Sequence, residues 1–579
     1  MLSDVVEKTS DWVHRWAGET PDTVFLAERS GAGWRAESYA ATLQKIRVIA
    51  AALLGRGMGA QTPILVMSGN GVDHGLLTLA AQYVGVPIVP VAEQYALITG
   101  AHGRLSEVIS LIRPAMVYAV DAAQYGEALA LPLLAGIEIV ASKNVGSATP
   151  FSTLLAGDNC ADVDAANALV GPDTVGKILM TSGSTSRPKG VLTTQRMMCV
   201  NQTQISDALP FLQARPPRIM DWLPWNHVFG GSHNFNIMLA NGGSLYIDDG
   251  KPTKAAFGRT LENLALMTGT IAFNVPVGFS MLLTALQADK KLQQRFFADL
   301  DMVFYAGASL PQDVWQGFEK MALAAQGAVP LMTSSWGLTE TAPSCMLQHQ
   351  PIDRSGVVGV PLNGVVAKLI PDNAMRFEVR IKGPNVMAGY FDAPEKTAQA
   401  FDDEGYFITG DAMTFVDSAR PDLGMRFDGR MSDDFKLQTG TWVRATVLRA
   451  EMLALLAPIA AEIVITGHDE TDIGVLIFPN ETALVEAGFD HEAKGDGTLT
   501  CPRLAARMTL LLTARAAVHS SSSTHVARAL ILAEPPSIAD GEVTAKGNLN
   551  FRKILTLRAP ILARLYNDAA ANVIRIAKG

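Results

Sequence analysis

Cysteine is scarce in this chain: Cys160, Cys199, Cys345 and Cys501 are the only four among 579 residues, and no two stand in a C-x-x-C spacing. That excludes a disulfide framework and a structural zinc site, and points to a reducing, cytoplasmic setting. Basic runs are missing as well. No five Lys or Arg stand together and the net charge is −9, so the concentrated positive footprint that nucleic-acid binding needs is absent. No stretch of about 18 uninterrupted apolar residues occurs, so no membrane span is expected. The first turns carry Asp4, Glu7 and Asp11 where a secretory leader would have a basic segment and an apolar core, so none is expected. No repeat of fixed period is visible.

What the chain does have is the profile of a loop-rich α/β enzyme: 48% hydrophobic and 18% charged residues, with 50 Gly and 30 Pro. Its length implies several structural units. Apolar runs such as Pro63–Met67, Ala115–Ala119, Lys177–Met180 and Met302–Ala306 alternate with amphipathic helical stretches. Short buried strands between helices predict parallel, doubly wound sheets. Asn241-Gly-Gly243 reads as a turn into a strand. After residue 370, short strand candidates (Glu378–Lys382, Gly405–Ile408) between Gly and Pro turns predict a β-rich subdomain. Beyond Gly429-Arg430 a second α/β pattern begins, so the expected domains are 1–428 and 429–579, the latter a smaller α+β unit. His519–Thr524, rich in Ser, reads as a surface loop.

Three segments offer chemistry. Thr181, Ser182, Gly183, Ser184 and Thr185 follow a strand candidate and lead through Arg187-Pro188 to Lys189. Backbone N–H groups and hydroxyls there can wrap phosphate oxygens, and Lys189 adds a cation. The spacing is not that of a Walker A loop, because Pro188 stands where the second Gly belongs. In Ser334-Ser-Trp-Gly-Leu-Thr-Glu340, Thr339 offers a hydroxyl, Glu340 a carboxylate for Mg²⁺, and Trp336 a flat face for a purine. Tyr406–Asp411 places a carboxylate, Asp411, at the expected end of a short strand, where ribose hydroxyls can be bound. Each segment alone also fits a plain turn, a buried Trp beside a helix cap, or a turn Asp.

Taken in order, these motifs resemble the ANL superfamily of adenylate-forming enzymes. Residues 181–190 are similar to its T-S-G-[ST]-T-G-x-P-K-G phosphate signature, and Ser334–Glu340 to its Y-G-x-T-E segment. Tyr305–Leu310 resembles its adenine-pocket strand. Lys382–Tyr390 with Thr409–Asp411 resembles its ribose side, and Gly429-Arg430 its hinge. Trp222–Gly231, Phe435–Trp442 and Gly541–Gly547 are similar to the feruloyl-CoA synthase branch.

The resemblance implies an ATP- and Mg²⁺-dependent ligase that joins an aryl, ferulate-like acid to CoA through an acyl-adenylate. It assigns the nucleotide to the 181–185 loop with Lys189, to Gly307, Ala308, Ser335, Trp336, Gly337 and Thr339, and to Asp411, Arg430, Lys436 and Gly440. Glu340 would hold the metal. His227 would stand between the acid pocket and CoA, with the acid among Asn226, Phe229, His233 and Gly278. Three positions depart from the family pattern. Ser186 replaces a Gly, and Ser432 an Asp or Lys. Asn548 occupies the place of the C-terminal catalytic Lys. Either Lys546 reaches the same atoms from a rearranged loop, or Lys553 or Arg552 supplies the cation, or none does. The partners implied are small molecules, with a monomer and a homodimer both open.

Overall fold

The computed structural model describes residues 2–157, 161–181, 188–373, 375–537, 540–543 and 549–578. Two compact units emerge. One comprises Met1–Leu369, Arg380–Thr409 and Phe415–Phe427; the other Ile370–Val379, Gly410–Thr414 and Asp428–Gly579. Among the described residues no helix is long and apolar enough to cross a membrane.

The first unit contains a seven-stranded sheet in the order Thr149–Pro150, Glu138–Lys143, Met116–Asp121, Ile64–Met67, Ile88–Pro90, Val175–Thr181, Lys189–Thr194. All its pairings are parallel except the last, which is an antiparallel hairpin. Ile64–Met67 is buried at every position, as a parallel strand covered on both faces must be. On one face lies helix His102–Ile112, whose Leu105, Val108, Ile109 and Ile112 recur at i, i+3, i+4 and i+7 and pack against Leu65, Met67, Val117 and Ile178. Each such side chain contributes about 1.5–3 kcal/mol by leaving water.

A three-stranded parallel sheet (Ile271–Asn274, Met302–Tyr305, Leu331–Thr333) stands beside a mixed four-stranded one (Arg218–Asp221, Ser244–Ile247, Val24–Ser30, Gly33–Ser38), whose last pairing is antiparallel. Helix Gln312–Gln326 seals the three-stranded sheet with Val314, Trp315 and Phe318, and stops at Gly327, whose φ of 72° is the left-handed conformation glycine adopts freely. The turn expected at Asn241–Gly243 is present. Gly242 has a φ of 65°, and strand Ser244–Ile247 starts directly after Gly243.

The β-rich region is a seven-stranded sheet ordered Ser335–Gly337, Ser344–Leu347, Val357–Pro361, Met425–Arg430, Phe407–Phe415, Arg376–Lys382, Val366–Asn373. In the second unit, Ala460–Thr466, Ile473–Pro479, Val526–Ile531 and Ile574–Arg575 form a mixed sheet. Helices Ala445–Leu456 and Pro502–Val518 lay Leu448, Met452, Leu504, Met508 and Leu512 over it. Within His519–Thr524 the first three residues are exposed, and the Ser522 hydroxyl lies 3.2 Å from that of Thr441. The architecture is the expected α/β one, a large N-terminal part followed by a smaller C-terminal part.

Candidate active site

The phosphate-loop candidate joins the two strands of a hairpin, with Thr181 paired to Lys189. The strand Lys189–Thr194, not a helix, follows it, and Lys189 at the start of that strand is a cation at its base. Ser182, Gly183, Ser184, Thr185 and Ser186 lie outside the described residues, as do Lys546 and Asn548. Gly190 is required by packing: a Cβ there would stand 2.6 Å from Ile178 Cγ2.

A third segment adds to the hairpin's free edge. Phe391 N donates to Gly190 O (2.7 Å), Leu192 N donates to Gly389 O (3.2 Å), and Val191 bridges Tyr390 in antiparallel fashion. Residues 389–391 thereby carry Tyr390 to the base of the hairpin that bears the phosphate-loop candidate. The Tyr390 hydroxyl donates to Glu340 Oε1 at 3.0 Å, and Lys189 Nζ sits over the Tyr390 ring, 4.8 Å from its centre. Met387 N also donates to Glu340 O (2.8 Å). Lys189 and Glu340, 151 positions apart in sequence (340 − 189), thus flank one aromatic ring.

Glu340 stands in the single turn Thr339–Thr341. The turn is capped from within: Leu338 N donates to the Thr341 hydroxyl at 2.9 Å. Thr339 and Trp336 are buried, and Ser335 is half-buried. Gly337 admits nothing larger, since a Cβ would lie 1.7 Å from Pro343 O. That contact is a physical reason for the Gly after Trp336. Gly307 (φ 91°) and Ala308 are exposed just past strand Met302–Tyr305. The Tyr305 hydroxyl accepts from Gly356 N (2.9 Å) and steadies that edge.

The segment proposed to bind the acid forms a π-helix, Phe229–Asn234. Such turns need close backbone approach, and Gly230 and Gly231 supply it: a Cβ on either would come within 2.3 Å of Leu223 O or 2.1 Å of Trp225 O. The π-turn aims Phe229 and His233 at the same place. The centres of Phe229, Phe273 and Phe304 lie 5.4, 5.6 and 5.1 Å from that of His233. Burial pushes the His233 imidazole down to about 4, so it is neutral near pH 7. Its Nδ1 pairs with Asn234 Oδ1 at 2.9 Å, while Nε2 is buried without a hydrogen-bond partner among the described residues. Asn234 in turn donates to Asp221 Oδ2 (3.0 Å), whose carboxyl burial raises to about 7. Asn226 and His227 are half-buried, and His227 Nδ1 accepts from Phe229 N (3.3 Å). Gly278 lets helix Pro276–Ala288 start against Asn274, since a Cβ would lie 2.1 Å from Asn274 Oδ1.

In the second unit, Arg430 Nε pairs with Asp411 Oδ1 at 3.2 Å; Asp411 is buried while Arg430 is exposed. One expectation changes here. Asp411 does not end its strand but sits in mid-strand within Phe407–Phe415, directly after Gly410, whose φ of 69° kinks the chain. A turn-forming Gly-Asp pair in sequence reads as an end because the flanking strand that continues past it is not visible locally. Lys436 and Gly440 share one tight hairpin, in which Lys436 pairs with Trp442 and Gly440 (φ 85°) makes the turn. Around the segment that carries Lys546, Glu542 forms a bidentate pair with Arg558 (2.7 Å to each oxygen), and Val543 bridges Leu549.

Sequence reading missed Tyr390 as a contact of Glu340, although it is the last residue of the quoted Lys382–Tyr390 motif. It also missed Lys177, a buried cation in a strand read as plainly apolar. Among the described residues no group of three or more His, Cys, Asp or Glu forms a metal cluster. Glu340 alone still suits Mg²⁺, which keeps most of its waters and takes one or two carboxylates plus phosphate oxygens. Its Oε1 is already engaged by Tyr390.

Over most of its length the fold is similar to that of solved acyl-activating enzymes. An anthranilate CoA ligase in complex with anthranoyl-AMP matches with a TM-score of 0.73 at 16% identity, covering 97% of this chain and 99% of that one. An o-succinylbenzoate CoA synthetase from Bacillus subtilis with its acyl-adenylate matches with a TM-score of 0.70 at 15% identity, covering 94% and 97%. In sequence, the chain is 30% identical over 251 residues to a sulfoacetate–CoA ligase of Cupriavidus necator, 42% of this chain and 45% of that protein. It is 27% identical over 248 residues to a long-chain-fatty-acid–CoA ligase of Escherichia coli, 42% of each. The matches to such curated relatives span about two fifths of their length. The model of the AMP-binding enzyme family matches residues 13–391, well over half of the sequence. With the ordered motifs and the shared fold, that match places this chain in the AMP-binding enzyme family of the ANL superfamily.

Proposed function

We propose that this protein is an AMP-forming acid–CoA ligase whose substrate is an aryl acid of the hydroxycinnamate type. The observation that carries the reading is the placement of Lys189 and Glu340 on either side of Tyr390, a cation for phosphate beside a carboxylate for metal. The substrate carboxylate oxygen attacks the α-phosphorus of ATP, the bond to the β-phosphate oxygen breaks, and pyrophosphate leaves. The CoA sulfur, as thiolate, then attacks the acyl carbonyl carbon, and AMP leaves with the bonding electrons. Positioning and charge neutralisation supply most of the acceleration. Lys189 with the 181–185 hydroxyls binds the outer phosphates, Thr339 bonds the α-phosphate, and Trp336 with Gly307 and Ala308 faces the adenine. Asp411 and Arg430 hold the ribose hydroxyls. Glu340 would hold a Mg²⁺ ion, whose charge would offset that of the phosphates.

Support for an aryl acid comes from Phe229, Phe273 and Phe304 about His233. Three rings favour a flat apolar substrate, and a neutral imidazole with a free Nε2 favours one bearing a hydrogen-bonding substituent such as a phenol. The resemblance of Trp222–Gly231 to the feruloyl branch agrees. Relatives named for fatty acids and sulfoacetate make the competing substrates explicit.

The test is CoA-dependent AMP release with ferulate, caffeate, benzoate and octanoate supplied in turn. Turnover highest on the first two is expected. Preference for octanoate removes the aryl assignment and keeps the adenylation chemistry. The C-terminal cation is tested separately: Lys546→Ala is expected to abolish pyrophosphate release while sparing thioester formation from a preformed adenylate. Equal loss of both steps removes Lys546 from that role.

A further inference from the structure

We infer that Tyr390 is a positioning residue that serves the metal carboxylate and the phosphate-binding lysine separately, its hydroxyl orienting Glu340 and its ring seating Lys189. The inference rests on the reading of Glu340 as the metal residue and Lys189 as a phosphate ligand.

Its basis is geometric. Tyr390 is 8% exposed, held at its own backbone by N–H donation to the Thr397 hydroxyl (3.0 Å) and by its bridge to Val191. Gly389 fits beneath Thr397 only because it has no Cβ; one there would stand 2.7 Å from Thr397 Cγ2. The ring is thereby held in place, with its hydroxyl on Glu340 and its face under the Lys189 ammonium. A carboxylate whose Oε1 is held in this way presents Oε2 in one direction and loses little freedom when a cation arrives; such outer partners commonly set metal affinity. The ammonium 4.8 Å above the ring gains a cation–π contact that carries no directional hydrogen bond. Its three N–H donors stay available for phosphate oxygens.

The two roles separate by mutation. Tyr390→Phe removes the hydroxyl and keeps the ring; Tyr390→Leu removes both. The readout is the affinity of the full chain for α,β-methylene-ATP by calorimetry, with EDTA and with saturating Mg²⁺. In the wild type Mg²⁺ tightens binding. Tyr390→Phe is expected to lose about tenfold of that gain with metal-free affinity unchanged. Tyr390→Leu is expected to lose the gain and to weaken metal-free binding as well. Glu340→Gln is the reference. If Glu340→Gln loses the Mg²⁺ gain and Tyr390→Phe keeps it, the orienting role is overturned while the metal reading stands. If Glu340→Gln keeps the gain, the metal reading falls and this inference falls with it. Metal-free affinity unaltered in a folded Tyr390→Leu overturns the seating of Lys189.

Discussion

The two units bury a basic side chain in opposite ways. In the second unit Arg376, with 4% of its side chain exposed, meets three carboxylates: Asp434 at 2.6 Å, Asp428 at 2.8 Å and Asp372 at 2.9 Å. In the first unit Lys177, 3% exposed, forms no ion pair among the described residues. Its ammonium donates to Gly231 O and stands 5.8 Å from the centre of Phe235. A guanidinium stays charged at any accessible pH, so its burial demands counter-charge. An amine escapes by giving up its proton, and burial lowers Lys177 to about 7. The carboxylates differ correspondingly, for burial raises the Asp434 carboxyl even while Arg376 pulls it back. The Arg376 cluster is a network that fails if one member is removed. Lys177 is a single strut under the π-turn that presents Phe229 and His233.

The largest effect expected from this contrast is at Arg376. Arg376→Met leaves three carboxylates crowded together and should cost about 3–5 kcal/mol, the range for breaking a buried ion pair from one side. Urea denaturation would read this as a lower midpoint. Adding Asp428→Asn and Asp434→Asn should return part of the loss; a midpoint unchanged by Arg376→Met would show that the cluster is not coupled.

Lys177→Met removes a buried amine rather than a set of ion pairs, and its effect on stability depends on pH. The lysine titrates near 7 when folded and near 10.5 when unfolded. Between those values the unfolded chain binds the extra proton, so wild-type stability rises with pH across the window. The Met variant lacks that slope. Its advantage over wild type should be greatest at or below pH 7 and shrink toward pH 10, as measured by paired thermal melts. A constant difference would mean that Lys177 keeps its charge. At the small end, Arg420→Ala breaks an ion pair exposed on both sides, 59% and 63%, and no shift in melting temperature is expected.

Much of this molecule can be read along the chain. The apolar runs at 63–67, 115–119, 177–180 and 302–306 each become strands, because a buried parallel strand has to be continuously apolar wherever it occurs. The turn at Trp336–Glu340 is likewise marked by a local pattern, whereas the pairing of Asp411 with Arg430 was implied only by the family resemblance. What those patterns omit is distance across the sequence. Nothing near Lys177 signals that its ammonium ends on Gly231, and nothing near Arg376 announces Asp428 and Asp434. Asp411 looked like a strand end because Gly410 breaks the local pattern while the strand itself runs on.

The order of chemical groups, the strands and the turns were determined by the sequence alone, because hydrophobic period and backbone sterics act over a few residues. Only the tertiary structure decided that Tyr390 stands between Lys189 and Glu340, that His233 is enclosed by three phenylalanines, and that Arg376 has three carboxylate partners while Lys177 has none among the described residues. Those facts depend on which segments become neighbours when the sheets close, and burial then sets the charge each group can hold.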